Sequence, residues 1–194
     1  MNSVSNEKNI LRKKHRQFRK NLSAAEKKQL DSMLFANVTS LPEYISAETI
    51  LIYVSTDIEA DTRALIDNAL SSGKTGAVPK CVDGSCEMEF YRISSFDDLA
   101  VQSFSILEPI TDRCAKLTDI PPHSVCIIPA LSCDRHGYRL GYGRGYYDRY
   151  LATHDVLTRI CICYDMDIED MLPHDEYDIA SQIVVTENKV QRIF

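Results

Sequence analysis

Hydrophobic and polar positions divide the chain into stretches of helical and of strand period. Residues 6–21 carry Leu11 and Phe18, with Leu22 just beyond, on one face at helical spacing, beside a cationic stripe of Lys8, Arg12, Arg16 and Arg19. The plain reading of that stripe is a solvated basic face; a mitochondrial presequence is a weaker option, because Ser is sparse. Ser23-Ala-Ala-Glu26 forms a capping box and opens a second helix to about Val38, with Leu30, Leu34 and Val38 on its apolar side. Residues 49–54 are a continuous apolar run, the pattern of a parallel strand covered on both faces. A polar loop over 55–62 leads into a helix to about Leu70. Residues 76–80 and 88–93 then read as two strands of an antiparallel hairpin around Asp83-Gly84. After a polar, proline-tipped surface connection over 110–122 come three more apolar strands at 125–128, 159–164 and 182–186. This alternation predicts an α/β fold over 1–194: a single domain with a mostly parallel central sheet, helices on both faces and a small antiparallel hairpin.

The stretch from 127 to 151 concentrates the candidate chemistry. A buried strand turns at 134–137, passes through Gly141, Gly143 and Gly145, and enters a helix near Tyr146. A strand, a glycine-rich loop and a helix N-terminus in that order aim backbone N–H groups at one point, where an anion is favoured. Arg139 and Arg144 add positive charge there. The loop is neither a Walker sequence, since no Gly-Lys-Ser/Thr follows, nor a dinucleotide fingerprint, since Tyr146 stands where the third glycine belongs. On spacing alone an ordinary surface turn and a phosphate cradle weigh equally. Asp148, in the first turn of the helix, tips the balance: a carboxylate behind an anion loop is costly without an intervening cation. Mg²⁺ suits one or two carboxylates plus phosphates. The alternative is that Asp148 merely complements the helix dipole.

Composition narrows the class. The 194 residues are 44% hydrophobic and 26% charged, with a net charge of −6, which argues against a general nucleic-acid binder. No run approaches a transmembrane span and no apolar segment follows the N-terminus. Seven cysteines without Cys-x₂-Cys spacing read as reduced small hydrophobes in a cytoplasmic protein. Residues 165–178 are acidic and read for the most part as a solvated loop.

The string Arg-Leu-Gly-Tyr-Gly-Arg-Gly-Tyr-Tyr-Asp at 139–148, preceded by a buried strand ending in Ile128-Pro129, resembles the signature of the 5-formyltetrahydrofolate cyclo-ligase family. The resemblance implies a Rossmann-like three-layer form and an enzyme using ATP and Mg²⁺ to convert 5-formyltetrahydrofolate to 5,10-methenyltetrahydrofolate. Lys8-Asn-Ile-Leu-Arg12 matches the family's nucleotide-holding Lys-x-x-x-Arg. ATP would then meet Lys8, Arg12, Arg139, Leu140, Gly141, Tyr142, Gly143, Arg144, Gly145, Tyr146 and Tyr147. The folate would meet Arg12, Val54, Glu59, Tyr142, Gly143, Arg144, Gly145 and Tyr146. Arg144 and Lys8 are the expected catalytic cations, and Asp148 with Asp178 the expected metal ligands. Tyr150 is expected in the core. The expected partners are small molecules, with no nucleic acid, membrane or second subunit.

Three positions depart from the family pattern: Cys133 replaces a Phe, Met166 a Gln and Tyr177 a His. The Glu108-Pro109 pair matches a family element, but its sequence suggests no role. Rival readings are a non-catalytic folate or nucleotide binder, an RNA-associated module using the basic helix, and a sugar-phosphate isomerase on a similar sheet.

Overall fold

The computed structural model describes residues 3–102 and 106–193. Its elements run α1 (Ser3–Asn21), α2 (Ala24–Thr39), α3 (Pro42–Ser46), β1 (Thr49–Ile52), α4 (Arg63–Ser71), β2 (Thr75–Cys81), β3 (Met88–Ile93), β4 (Leu99–Val101), β5 (Leu107–Pro109) and β6 (Val125–Pro129). They continue with β7 (Ser132–Asp134), β8 (Arg139–Leu140), α5 (Tyr146–Ala152), β9 (Thr158–Ile162), β10 (Ile168–Glu169), β11 (Ile183–Val185) and β12 (Val190–Arg192). The main sheet has seven strands in the order β12-β11-β9-β6-β1-β2-β3. Its five inner strands are parallel, and β12 and β3 close the two edges antiparallel.

Apolar runs made the inner strands legible because both faces of the sheet are covered. Side chains alternate across a strand, so Ile50, Ile52 and Ile127 pack with Leu34, Val38, Leu65 and Ile66 of α2 and α4. Leu51, Cys126 and Ile128 pack on the other face with Tyr150 and Leu151 of α5. The result is a three-layer α/β architecture with two cores. The Ser23–Glu26 capping box forms as expected: the Ser23 N–H donates to Glu26 at 2.9 Å, and the Glu26 N–H donates to the Ser23 hydroxyl at 3.2 Å. The 76–93 hairpin also forms, with Gly76 opposite Ile93 and Cys81 opposite Met88, but as an edge of the main sheet. Separate from it are an antiparallel β4–β5 pair and a small β10-β7-β8 sheet.

Two expectations about charge are corrected. Arg19 is 4% exposed and so does not belong to a solvated stripe. Its Nε donates to Asp167 at 2.9 Å and its Nη2 to the carbonyl oxygens of Ala130 and Leu131 at 2.6 and 3.1 Å. Burial alone would lower its pKa; the adjacent Asp167 carboxylate outweighs that, and the net shift is upward. Asp167, expected in a solvated loop, is fully buried. His15 completes the clamp, with Nδ1 2.8 Å from Asp167 and Nε2 2.8 Å from Glu169. Helix α1 is thus held on the sheet by His15 and Arg19, its buried residues, while Leu11, Phe18 and Leu22 are only half-buried. The cysteines are free, and five of them are buried; Cys86, contrary to expectation, is exposed.

Candidate active site

Strand β8 delivers the chain into residues 141–145, and α5 carries it away. Gly143 and Gly145 take φ values of 100° and 69°, in the left-handed region that side chains avoid. A Cβ on Gly143 would also lie 3.3 Å from the guanidinium carbon of Arg12. That contact is part of the docking of α1: Arg12 Nε donates to the Gly141 carbonyl at 2.8 Å. Burial lowers the Arg12 pKa, Arg16 adds to the effect and Asp178 opposes it; a guanidinium nevertheless stays charged at neutral pH. Helix α5 has seven residues. A dipole that short adds little, so the loop N–H groups and the surrounding cations must do most of the work on an anion.

Two carboxylates meet beside the loop. Asp148 Oδ1 accepts from Arg139 Nη2 at 2.6 Å and from the Ile179 N–H at 3.1 Å. Asp178, the residue before Ile179, accepts from Lys8 Nζ at 2.6 Å and from the Asp175 N–H at 2.8 Å. Positions 148 and 178 are brought to one place by that Ile179 hydrogen bond and by Arg139, whose Nη1 donates to the Ile179 carbonyl at 2.6 Å while its Nη2 holds Asp148. Their hard oxygens suit Mg²⁺, which favours a carboxylate or two and leaves the rest of its shell to phosphate and water. No cluster of three or more His, Cys, Asp or Glu fit to hold a metal occurs among the described residues. Arg139 and Lys8 neutralise the pair in this structure.

These groups line one cavity of about 1080 Å³. The residues expected to meet nucleotide, folate or metal all line it: Lys8, Arg12, Val54, Glu59, residues 139–148 and Asp178. Glu59 is held by Thr56, whose N–H and hydroxyl both donate to it at 2.8 Å. The Tyr142 hydroxyl is buried without a hydrogen bond among the described residues, and its pKa is pushed up by burial and then by the charge of Glu59. Arg16 lies 5.6 Å over the Tyr142 ring, a cation–π contact. Arg144, at the exposed crest of the loop, also lines the cavity, and its carbonyl accepts from Arg149 at 2.8 Å. Tyr150 lies in the core, as expected.

The sequence reading missed a second wall made by Tyr53, Pro79, Cys81, Met88, Leu107 and Glu108. Its only sequence signal is the Glu108-Pro109 pair, noted without a role. Of the three departures, Met166 is exposed and does not line the cavity. Cys133 packs with Cys161, Cys163 and Val184, and Tyr177, 75% exposed, stands at the cavity wall.

A three-layer α/β sheet whose glycine loop, cations and paired carboxylates share one cavity has the architecture of an anion-handling enzyme. The family model described as the 5-formyltetrahydrofolate cyclo-ligase family matches residues 4–187, and the chain belongs to that family. It is 29% identical to the 5-formyltetrahydrofolate cyclo-ligase of Escherichia coli K12, over 90% of this chain and 97% of that protein. It is 30% identical to the probable 5-formyltetrahydrofolate cyclo-ligase of Schizosaccharomyces pombe, over 80% and 82%. Among solved structures, the 5,10-methenyltetrahydrofolate synthetase of Aquifex aeolicus superimposes with a TM-score of 0.79 at 31% identity, covering 96% of this chain and 92% of that one.

Proposed function

We propose that this chain converts 5-formyltetrahydrofolate and ATP to 5,10-methenyltetrahydrofolate, ADP and phosphate. The observation that carries the reading is the meeting of Lys8, Arg12, Arg139, Asp148 and Asp178 around residues 141–145 on one cavity wall, in a chain of this family. Among the described residues no helix is long and apolar enough to cross a membrane, and we assign the activity to the cytoplasm, on small molecules, by a monomer.

The chemical obstacle is a formamide carbonyl, a poor electrophile whose oxygen is a poor leaving group. Attack of the formyl oxygen on the γ-phosphorus expels ADP and leaves an iminium-like carbon. The folate's second nitrogen then adds to that carbon, and loss of phosphate with the nitrogen's proton closes the product. The protein's part is alignment and charge. The N–H groups of residues 141–145 and the cations Arg144, Lys8 and Arg12 receive the negative charge of the transferring group. Asp148 and Asp178 would hold Mg²⁺, which when bound neutralises phosphate charge. Glu59, fixed by Thr56, would accept from the pterin, with Val54, Tyr142 and Tyr146 walling the ring.

The test is to mix the protein with 5-formyltetrahydrofolate, Mg²⁺ and ATP while following the near-ultraviolet chromophore of a methenylfolate. ATP-dependent growth, lost in Asp148→Asn, supports both the reaction and the metal assignment. Folate binding by calorimetry without any turnover would instead favour a binder that keeps the loop.

A further inference from the structure

The second cavity wall contains a carboxylate whose arrangement is unusual. Glu108, at the middle of β5, is 3% exposed and lines the cavity. One oxygen, Oε1, accepts weakly from the Cys81 N–H at 3.3 Å. The other, Oε2, is buried and accepts no hydrogen bond among the described residues; Lys80 Nζ stands 3.6 Å away, beyond good hydrogen-bonding distance. A buried carboxylate oxygen left without a donor is expensive, because it has given up water for nothing of equal strength. The cost is offset when a ligand brings a donor into the cavity.

The surroundings indicate the kind of donor. Pro79, Met88 and Leu107 give this wall an apolar surface, and Tyr146 stands next to Cys81. An apolar wall with one acceptor suits a flat ring carrying N–H groups. Building on the reaction proposed above, both substrates contain such a ring. The nucleotide's phosphates are claimed by the cations at the glycine loop, and a further carboxylate would repel them. Adenine offers a single amino group beside a ring nitrogen whose lone pair faces a carboxylate unfavourably. The reduced folate offers N–H donors along most of its edge. We infer that Glu108 is a folate-binding residue, whose Oε2 accepts a hydrogen bond from an N–H of 5-formyltetrahydrofolate.

The experiment is steady-state kinetics of the full chain with each substrate varied in turn, for wild type, Glu108→Gln and Glu108→Leu. A hydrogen bond to a charged acceptor corresponds to a change of roughly 10- to 100-fold. The expected result is that KM for the folate rises by about that factor in Glu108→Leu and by less in Glu108→Gln, which keeps an acceptor oxygen, while KM for ATP moves less than about threefold. A purely structural tie between β5 and β2 would disturb both substrates alike or neither. Should Glu108→Leu fail to fold, Glu108→Gln carries the test through the same split. Unchanged folate KM, or a rise confined to ATP, overturns the inference. If wild type itself forms no methenylfolate, it is the proposed reaction that fails, and folate affinity measured by calorimetry on the same variants then decides the role of Glu108.

Discussion

Two ionic constellations hang from helix α1, and they differ in almost every respect. At its N-terminal half, Lys8 and Arg12 reach the glycine loop and Asp178, at the edge of a cavity open to ligand. At its C-terminal half, His15 and Arg19 are sealed against Asp167, with side-chain exposures of 1%, 1% and 0%. The first set is partly exposed, with side-chain exposures of 13% for Lys8 and 19% for Asp178, and under the proposed function it exchanges a protein partner for a phosphate. The second is saturated: the Arg19 guanidinium donates to a carboxylate and three carbonyl oxygens. One helix therefore joins a fixed anchor to an adaptable grip. The anchor sets where the grip can act.

The sharpest way to break this contrast is to remove one partner from the anchor. Asp167→Asn leaves the buried Arg19 and His15 facing a neutral group and should destabilise the fold by about 3–5 kcal/mol, the scale for breaking a buried ion pair. Urea unfolding gives the number, and a loss below about 1 kcal/mol would place Asp167 among ordinary surface pairs. The grip should behave oppositely. Arg144→Ala should cost about 3 kcal/mol in the barrier, the scale for a preorganised charge-stabilising donor. Its urea midpoint should hardly move, and a kcat within threefold of wild type would refute the role.

Buried tyrosines give a pH signature of their own, set chiefly by burial. Burial pushes Tyr44 up to about 12 from an ordinary 10, and Tyr53, Tyr147 and Tyr150 also shift upward. Their stabilising contribution is complete below pH 10. Above it the unfolded chain releases protons that the folded one keeps, so stability falls, by up to about 3 kcal/mol for a two-unit shift. Unfolding midpoints measured from pH 8 to 12 should stay level to about pH 10 as far as these groups are concerned and decline above it, and a profile flat to pH 12 contradicts the assignment. The smallest effect belongs to Tyr142→Phe. It removes a hydroxyl that makes no hydrogen bond among the described residues. Stability should change by about 1 kcal/mol or less, so any larger consequence must appear in substrate KM.

The same contrast explains what the sequence disclosed. The loop was legible because its glycines, arginines and Asp148 fall within ten consecutive residues, 139–148, and their types carry the chemistry. The inner strands were legible because double-sided burial writes continuous apolar runs. The anchor was not, since His15 and Arg19 meet Asp167 from 152 and 148 residues away, and a basic stripe looks the same whether solvated or buried. The short strands β7, β8 and β10 are two or three residues long, too brief for any periodicity to register. Cavity residues from β2 and β5 escaped for a related reason: Pro79, Cys81 and Glu108 acquire meaning only from what the sheet places beside them. Lys8 and Asp178 were assigned to the loop through family resemblance, not through pattern; in the fold Lys8 donates to Asp178 at 2.6 Å.

Under the proposed reaction, the cavity transfers phosphate onto the formyl oxygen. A heavy-oxygen label placed in the formyl group of 5-formyltetrahydrofolate follows that atom directly. After turnover with unlabelled ATP, phosphorus NMR of the released phosphate should show one labelled oxygen per molecule formed. Methenylfolate formed with unlabelled phosphate would mean that the formyl oxygen leaves by another route, and the assignment of the glycine loop to phosphoryl transfer would be wrong.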